Sequence, residues 1–165
     1  MIGENPEFSV VVPVFNERDN VTPLVNEIVA ALRGKYSFEI VYVDDQSKDD
    51  SLQVLKDLMV SVPELRVVQH LRQCGQSTAI RNGVKAARGD WIVTLDGDGQ
   101  NDPADIAKLI EARNKAAPEI KLFAGWRVHR KDTGSKRWAS KIANSIRAGF
   151  LKDETPDTGC GIKLF

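Results

Sequence analysis

The run Phe8 to Val14 (FSVVVPV) constrains this chain more than any other stretch. A strand with one wet face alternates apolar and polar residues. This run is almost wholly apolar and rich in valine, which is the pattern of a strand covered on both faces, as in a parallel sheet. Parallel neighbours need crossover connections, and helices should follow such strands.

The chain supplies them in alternation. Asp19 or Asn20 is placed to cap a helix with Val21, Leu24, Val25, Ile28, Val29 and Leu32 on one face, and Gly34 to stop it. Phe38 to Val43 reads as the next strand. A turn rich in Asp and Ser leads to a second helix, with Leu52, Leu55, Leu58, Met59 and Val62 facing inward and Pro63 ending it. Arg66 to His70 is a short third strand, Ser77 to Arg88 a helix, and Trp91 to Leu95 a strand. Pro103 marks a helix start with Ile106, Leu109 and Ile110 inside. Lys121 to Ala124 is another short strand, and Lys136 to Leu151 an amphipathic helix with Trp138, Ile142, Ile146 and Phe150 on one side. This alternation predicts an α/β fold with a mainly parallel sheet flanked by helices, and ligands at the carboxyl ends of its strands.

The 165 residues suit one domain, residues 1–165, able to bury a sizeable core. Ile162 to Phe165 reads as a strand interrupted at its end, so truncation at the C-terminus is expected. Net charge is zero, which gives no general affinity for polyanions, and no nucleic-acid partner is expected. The charge is unevenly spread. Met1 to Trp126 holds 14 Lys/Arg against 19 Asp/Glu, and Arg127 to Lys152 holds 8 Lys/Arg against Asp132 alone. An acidic front and a basic back suggest a cation and an anionic partner; a solvated surface is the plainer reading of the basic stretch. The two cysteines, Cys74 and Cys160, have no metal-ligand spacing and favour a reducing, cytoplasmic setting. No signal-peptide pattern and no spanning apolar stretch is seen.

Three of the expected strands end in polar residues. The first gives Asn16-Glu17, the second Asp44-Asp45-Gln46-Ser47, and the fourth Asp96-Gly97-Asp98-Gly99-Gln100. In a parallel sheet all three meet at one edge. Carboxylates gathered there resist ionising together unless a cation compensates, and a hard divalent ion with oxygen ligands suits them. Gly97 and Gly99 allow the chain to turn so that Asp96 and Asp98 face one ligand. On Asp-x-Asp alone, a polar turn is the simpler reading. A helix-loop-helix calcium site would need Gly and Glu where Asn101 and Ala107 stand. A phosphatase of the haloacid-dehalogenase type would put Thr or Val at Gln100. A dinucleotide fold would show glycines after the first strand, where Phe15-Asn16-Glu17 stands.

The combination is more specific than its parts. Pro13-Val14-Phe15-Asn16-Glu17, Val43-Asp44-Asp45-Gln46-Ser47-Lys48-Asp49 and Asp96-Gly97-Asp98-Gly99-Gln100 resemble the three signature stretches of family 2 glycosyltransferases. Gly125-Trp126-Arg127, Arg137 to Lys141 and Asp157 to Phe165 resemble the polyprenyl-phosphate branch, which includes dolichol-phosphate mannose synthase. The resemblance implies the Rossmann-like GT-A fold, a GDP- or UDP-linked sugar donor and a Mg2+ or Mn2+ cofactor. It puts Pro13, Phe15, Glu17, Val43 and Asp45 around the nucleoside. It puts Asp96, Asp98 and Gln100 on the metal, with Asp98 catalytic and Asp96 and Gly97 also at the donor. Arg127 would serve a donor or acceptor phosphate, and Lys141 is a second candidate. Gln46 and Asp50 stand where the family usually has Gly, and Phe15 where Tyr is common.

The implied reaction is inverting transfer to a dolichyl or undecaprenyl phosphate, an acceptor that needs no strong general base. The basic segment would then hold the lipid phosphate at the cytoplasmic face of a membrane. Two alternatives stay open. Transfer to a saccharide hydroxyl would need a base, for which Asp157 is the candidate. A truncated domain would bind nucleotide sugar without turnover.

Overall fold

The computed structural model describes residues 5–125 and 160–165. Four parallel strands form its spine: β1 (Phe8–Val14), β2 (Phe38–Asp44), β3 (Leu65–Gln69) and β4 (Trp91–Thr94). Helices α1 (Arg18–Leu32), α2 (Ser51–Leu58), α3 (Gln76–Ala86) and α4 (Asp105–Lys115) alternate with them. Two short strands, β5 (Phe123–Ala124) and β6 (Lys163–Leu164), complete a sheet of order β3-β2-β1-β4-β6-β5. β6 runs antiparallel to both β4 and β5. The mainly parallel α/β fold expected from the valine-rich runs is present.

β1 and β2 are buried along their whole lengths. Their two faces feed two cores. Val10, Val12, Val14, Ile40 and Tyr42 pack with Val21, Leu24, Val25 and Ile28 of α1 and with Ile106 and Ile110 of α4. Val11, Val41 and Val43 pack against Ala79 of α3. The absence of alternation in FSVVVPV is thus the mark of helices on both sides.

Two helix boundaries differ from expectation. α1 begins at Arg18, with Glu17 rather than Asp19 or Asn20 in the cap position and no local side-chain cap. Its first amides are served from the neighbouring turn instead. Glu17 N–H donates to Ser51 Oγ at 3.0 Å and Arg18 N–H to Asp49 Oδ2 at 3.2 Å. Those acceptors satisfy donors that a cap would otherwise take. α2 ends at Leu58, well short of Pro63. Val60 and Ser61 N–H bond to Asp57 and Leu58 carbonyls in tight turns, which leaves Met59 exposed while Val62 stays buried. The expected helix Lys136 to Leu151 lies outside the described residues. Among the described residues no helix is long and apolar enough to cross a membrane.

At the amino ends of the strands a single acid ties β1, β2 and β3 to the loop between α3 and β4. Glu39 accepts from Ser9 Oγ (2.8 Å), Arg66 Nη1 (2.7 Å), Arg88 N–H (2.6 Å) and Arg88 Nε (3.1 Å). Burial works to raise its pKa, but the Arg66, Ser9 and Arg88 hydrogen bonds outweigh it and hold the carboxyl below its ordinary value. This leaves the opposite, carboxyl-end edge free for chemistry.

Candidate active site

Because β1, β2 and β4 are parallel and adjacent, their carboxyl ends lie side by side. An open cavity of about 460 Å³ lies there. Pro13, Phe15 and Glu17 line it from β1, Asp45 from β2, and Asp96, Gly97 and Asp98 from β4. Seven of the residues expected at the donor or metal therefore share one space. Val43 is in the core beneath α3 and serves to carry Asp45 to the edge. Gln100 is exposed on the turn after Asp98. Arg127, Lys141 and Asp157 lie outside the described residues.

The strand ends are fastened by two residues in the left-handed region, Asn16 (φ 56°) and Gln46 (φ 62°). Asn16 N–H donates to Ser47 Oγ at 3.0 Å, and Asn16 Oδ1 accepts from Lys48 N–H at 2.7 Å. Gln46 donates through Nε2 to the Leu71 carbonyl (3.0 Å) and accepts at Oε1 from Gln73 N–H (3.1 Å). A backbone conformation that favours glycine is thus kept by a side chain that cross-links two loops.

Asp45 is buried and already well engaged. Oδ1 accepts from Cys74 N–H at 2.8 Å and lies 2.7 Å from His70 Nδ1, while Oδ2 accepts from Gly75 N–H at 2.7 Å. Burial acts to raise its pKa, but His70 and the two amides lower it further. His70 Nε2 in turn lies 2.9 Å from the Asn82 side-chain amide. Asp45, His70 and Cys74 bring potential ligand atoms within 4.8 Å of one another. Two backbone N–H groups point at the same carboxylate, so the cluster reads as a clasp on the loop 71–75.

The Asp96 to Gln100 turn offers a different donor set. Asp96 Oδ1 accepts from Gln76 Nε2 at 2.9 Å, and Oδ2 faces Asn101 Nδ2 at 3.4 Å. Asp98 Oδ1 accepts from Gln100 N–H at 3.1 Å, closing the turn. Gly99 has φ 69°, which a side chain rarely adopts. Gly97 has another reason: a Cβ there would stand 2.5 Å from the Pro13 carbonyl oxygen. Two carboxylates and an amide oxygen on one turn are hard ligands, suited to Mg2+ or Mn2+ rather than to soft ions.

Gln73, Gly75 and Gln76, which no sequence motif singles out, line the same cavity. Their signal was present: an amide- and glycine-containing stretch directly after a strand of the same sheet. It was hidden because residues 71–75 belong to no periodic element.

Comparison with known proteins identifies the family and the fold. Glycosyl transferase family 2 matches residues 9–165. The chain is 36% identical over 162 residues to dodecaprenyl-phosphate galacturonate synthase of Rhizobium johnstonii, covering 96% of this chain and 47% of that protein. It is 35% identical over 159 residues to undecaprenyl-phosphate 4-deoxy-4-formamido-L-arabinose transferase of Pseudomonas fluorescens, covering 95% and 46%. The chain spans about half the length of the curated relatives it matches. Among solved structures, the mannosyltransferase PcManGT of Pyrobaculum calidifontis, in complex with GDP-Man and Mn2+, aligns at TM-score 0.72 and 21% identity, covering 98% of this chain and 44% of that one. Glucosyl-3-phosphoglycerate synthase of Mycobacterium tuberculosis, in complex with Mn2+, UDP and glucosyl-3-phosphoglycerate, aligns at TM-score 0.74 and 18% identity, covering 96% and 56%. These two likenesses are of fold, and the fold is GT-A. With the family match over nearly its whole length, the chain belongs to glycosyl transferase family 2.

Proposed function

We propose that this chain forms the donor-binding catalytic domain of an enzyme that moves a sugar from a GDP- or UDP-linked donor to a polyprenyl phosphate, with inversion. The observation that carries the reading is the meeting of Glu17, Asp45, Asp96 and Asp98 around one cavity at the carboxyl edge of a parallel sheet. The names of the curated relatives, which act on dodecaprenyl and undecaprenyl phosphates, support the acceptor class.

In this reading the nucleoside enters at the Asp45 end, between Phe15 and the loop 73–76. The diphosphate extends toward Asp96 and Asp98. Asp96, Asp98 and Gln100 would hold Mg2+ or Mn2+. When bound, such an ion neutralises the charge that gathers on a departing diphosphate. Arg127 would supply positive charge to that group, and Lys141 is a second candidate. Gly97, kept free of a side chain by the Pro13 carbonyl, leaves the sugar room to approach Asp98. A phosphate monoester acceptor is already anionic near neutral pH, so no strong base is required of the chain. The basic segment from Arg127 to Lys152 provides peripheral attraction to an anionic cytoplasmic leaflet.

Transfer of labelled sugar to a short polyprenyl phosphate tests this directly. The expected result is a lipid-linked product from the phosphate acceptor and none from oligosaccharides. Transfer to oligosaccharides alone, abolished in Asp157→Asn, would replace this reading with transfer to a saccharide hydroxyl. Donor binding without transfer would restrict the chain to the donor-binding part of a longer protein.

A further inference from the structure

Residues 74–76 lie outside the three acidic strand ends, yet they touch two of them. Cys74 and Gly75 give their backbone N–H groups to Asp45. Gly75 then turns the chain at φ 86° with open space where a Cβ would stand, so glycine is required there by the dihedral and not by crowding. That turn aims the next residue, Gln76 at the start of α3, across the cavity to Asp96 Oδ1. On the other side, Gly161 sits directly against Asp96. A Cβ there would fall inside the carboxylate and come within 2.9 Å of Asn101 Nδ2. Thr94 Oγ1 donates to the Gly161 carbonyl at 3.0 Å, which fixes this approach from β4.

We propose that Gln76 and Gly161 are positioning residues for Asp96: Gln76 fixes Oδ1 with a donated hydrogen bond, and Gly161 leaves the space the carboxylate occupies. The proposal rests on the divalent-metal reading given above. An ionised carboxylate has about four lone-pair sites. Gln76 takes one and Asn101 faces another, so Asp96 is oriented with capacity to spare for a cation. Groups that orient a metal-binding side chain in this way are typically worth about 10–100-fold in metal affinity. Gln76 is exposed, so replacing it does not open the core.

The test is Mn2+ affinity, read from the electron paramagnetic resonance of free Mn2+ with UDP or GDP present, together with metal-free melting curves. Gln76→Met keeps the side chain's length and loses its donor. It is expected to weaken Mn2+ binding by about tenfold or more with an unchanged melting midpoint. Gly161→Ala is expected to weaken it as well. Asp98→Ala reports on the metal site independently of Gln76. If Asp98→Ala loses Mn2+ while Gln76→Met binds it as tightly as the wild type, the positioning role is wrong and the metal reading stands. If the wild-type chain binds no Mn2+, the metal reading fails and this inference with it.

Discussion

Asp45 shows how a residue's chemistry can be legible while its use is not. The sequence marks it as an acceptor at a strand end, and it is one. Its acceptors, however, are largely spent on His70 and the amides of Cys74 and Gly75, which no spacing rule exposes. Asp45→Asn would set an amide NH2 against a backbone N–H, at a cost of about 1–3 kcal/mol. Nucleoside binding should weaken with it. Because the folded-state pKa of Asp45 is depressed, its contribution is present above the ordinary aspartate value of about 3.9 and is lost as pH falls through the lower folded value. Unfolding titrations against pH should therefore show a smaller acid-side loss in Asp45→Asn than in the wild type. Gln46 stands where the family usually has glycine, and its φ of 62° gives the reason for glycine there. Gln46→Ala keeps the strain and loses both hydrogen bonds. Gln46→Gly loses the bonds but relieves the strain, which is worth roughly 1–2 kcal/mol. Urea melts should rank Gln46→Gly as the less damaged of the two.

At the scale of elements, the long buried strands were plain in the sequence and the short ones were blurred. FSVVVPV and FEIVYV carry their burial in their composition. The expected strands at Lys121 to Ala124 and Ile162 to Phe165 are two residues each, and among the described residues they pair with one another and with β4 at one side of the sheet. The start of α1 is not legible locally because the acceptors for its first amides, Ser51 and Asp49, are distant in sequence. Packing decides helix α3 as well. Gly83 lies against Val11, and an added Cβ would also stand 3.0 Å from Val43 Cγ2. Gly83→Ala gains about 1 kcal/mol of helix propensity but overpacks the sheet at a cost of about 1–3 kcal/mol. The expected net effect in chemical denaturation is a loss. Displacing α3 would also move Gln76, so Mn2+ affinity should fall in the same variant. At the opposite edge, Glu39→Gln removes the charge that holds Arg66 and Arg88. With both arginines partly exposed, the expected loss is roughly 2–3 kcal/mol. Since the Glu39 pKa is lowered in the fold, that loss should shrink as pH falls below the ordinary carboxylate range.

For the whole molecule, the parallel topology is what turns separate motifs into a site. Glu17, Asp45 and Asp96 are far apart in the chain, and only the order β2-β1-β4 makes their strand ends neighbours. That convergence could be inferred from the buried-strand pattern alone. The loop 71–75, the Gln76 bridge and the Gly161 approach could not, since they depend on where irregular backbone runs. The proposed nucleotide site is completed by a divalent metal on the Asp96 to Gln100 turn. Calorimetric titration of the chain with UDP and GDP, in Mn2+ and then in EDTA, tests it most directly. Binding of at least one of the two is expected in Mn2+, weakened by at least about tenfold in EDTA and in Asp98→Ala. Binding of equal strength in EDTA, or in Asp98→Ala with Mn2+ present, would contradict it.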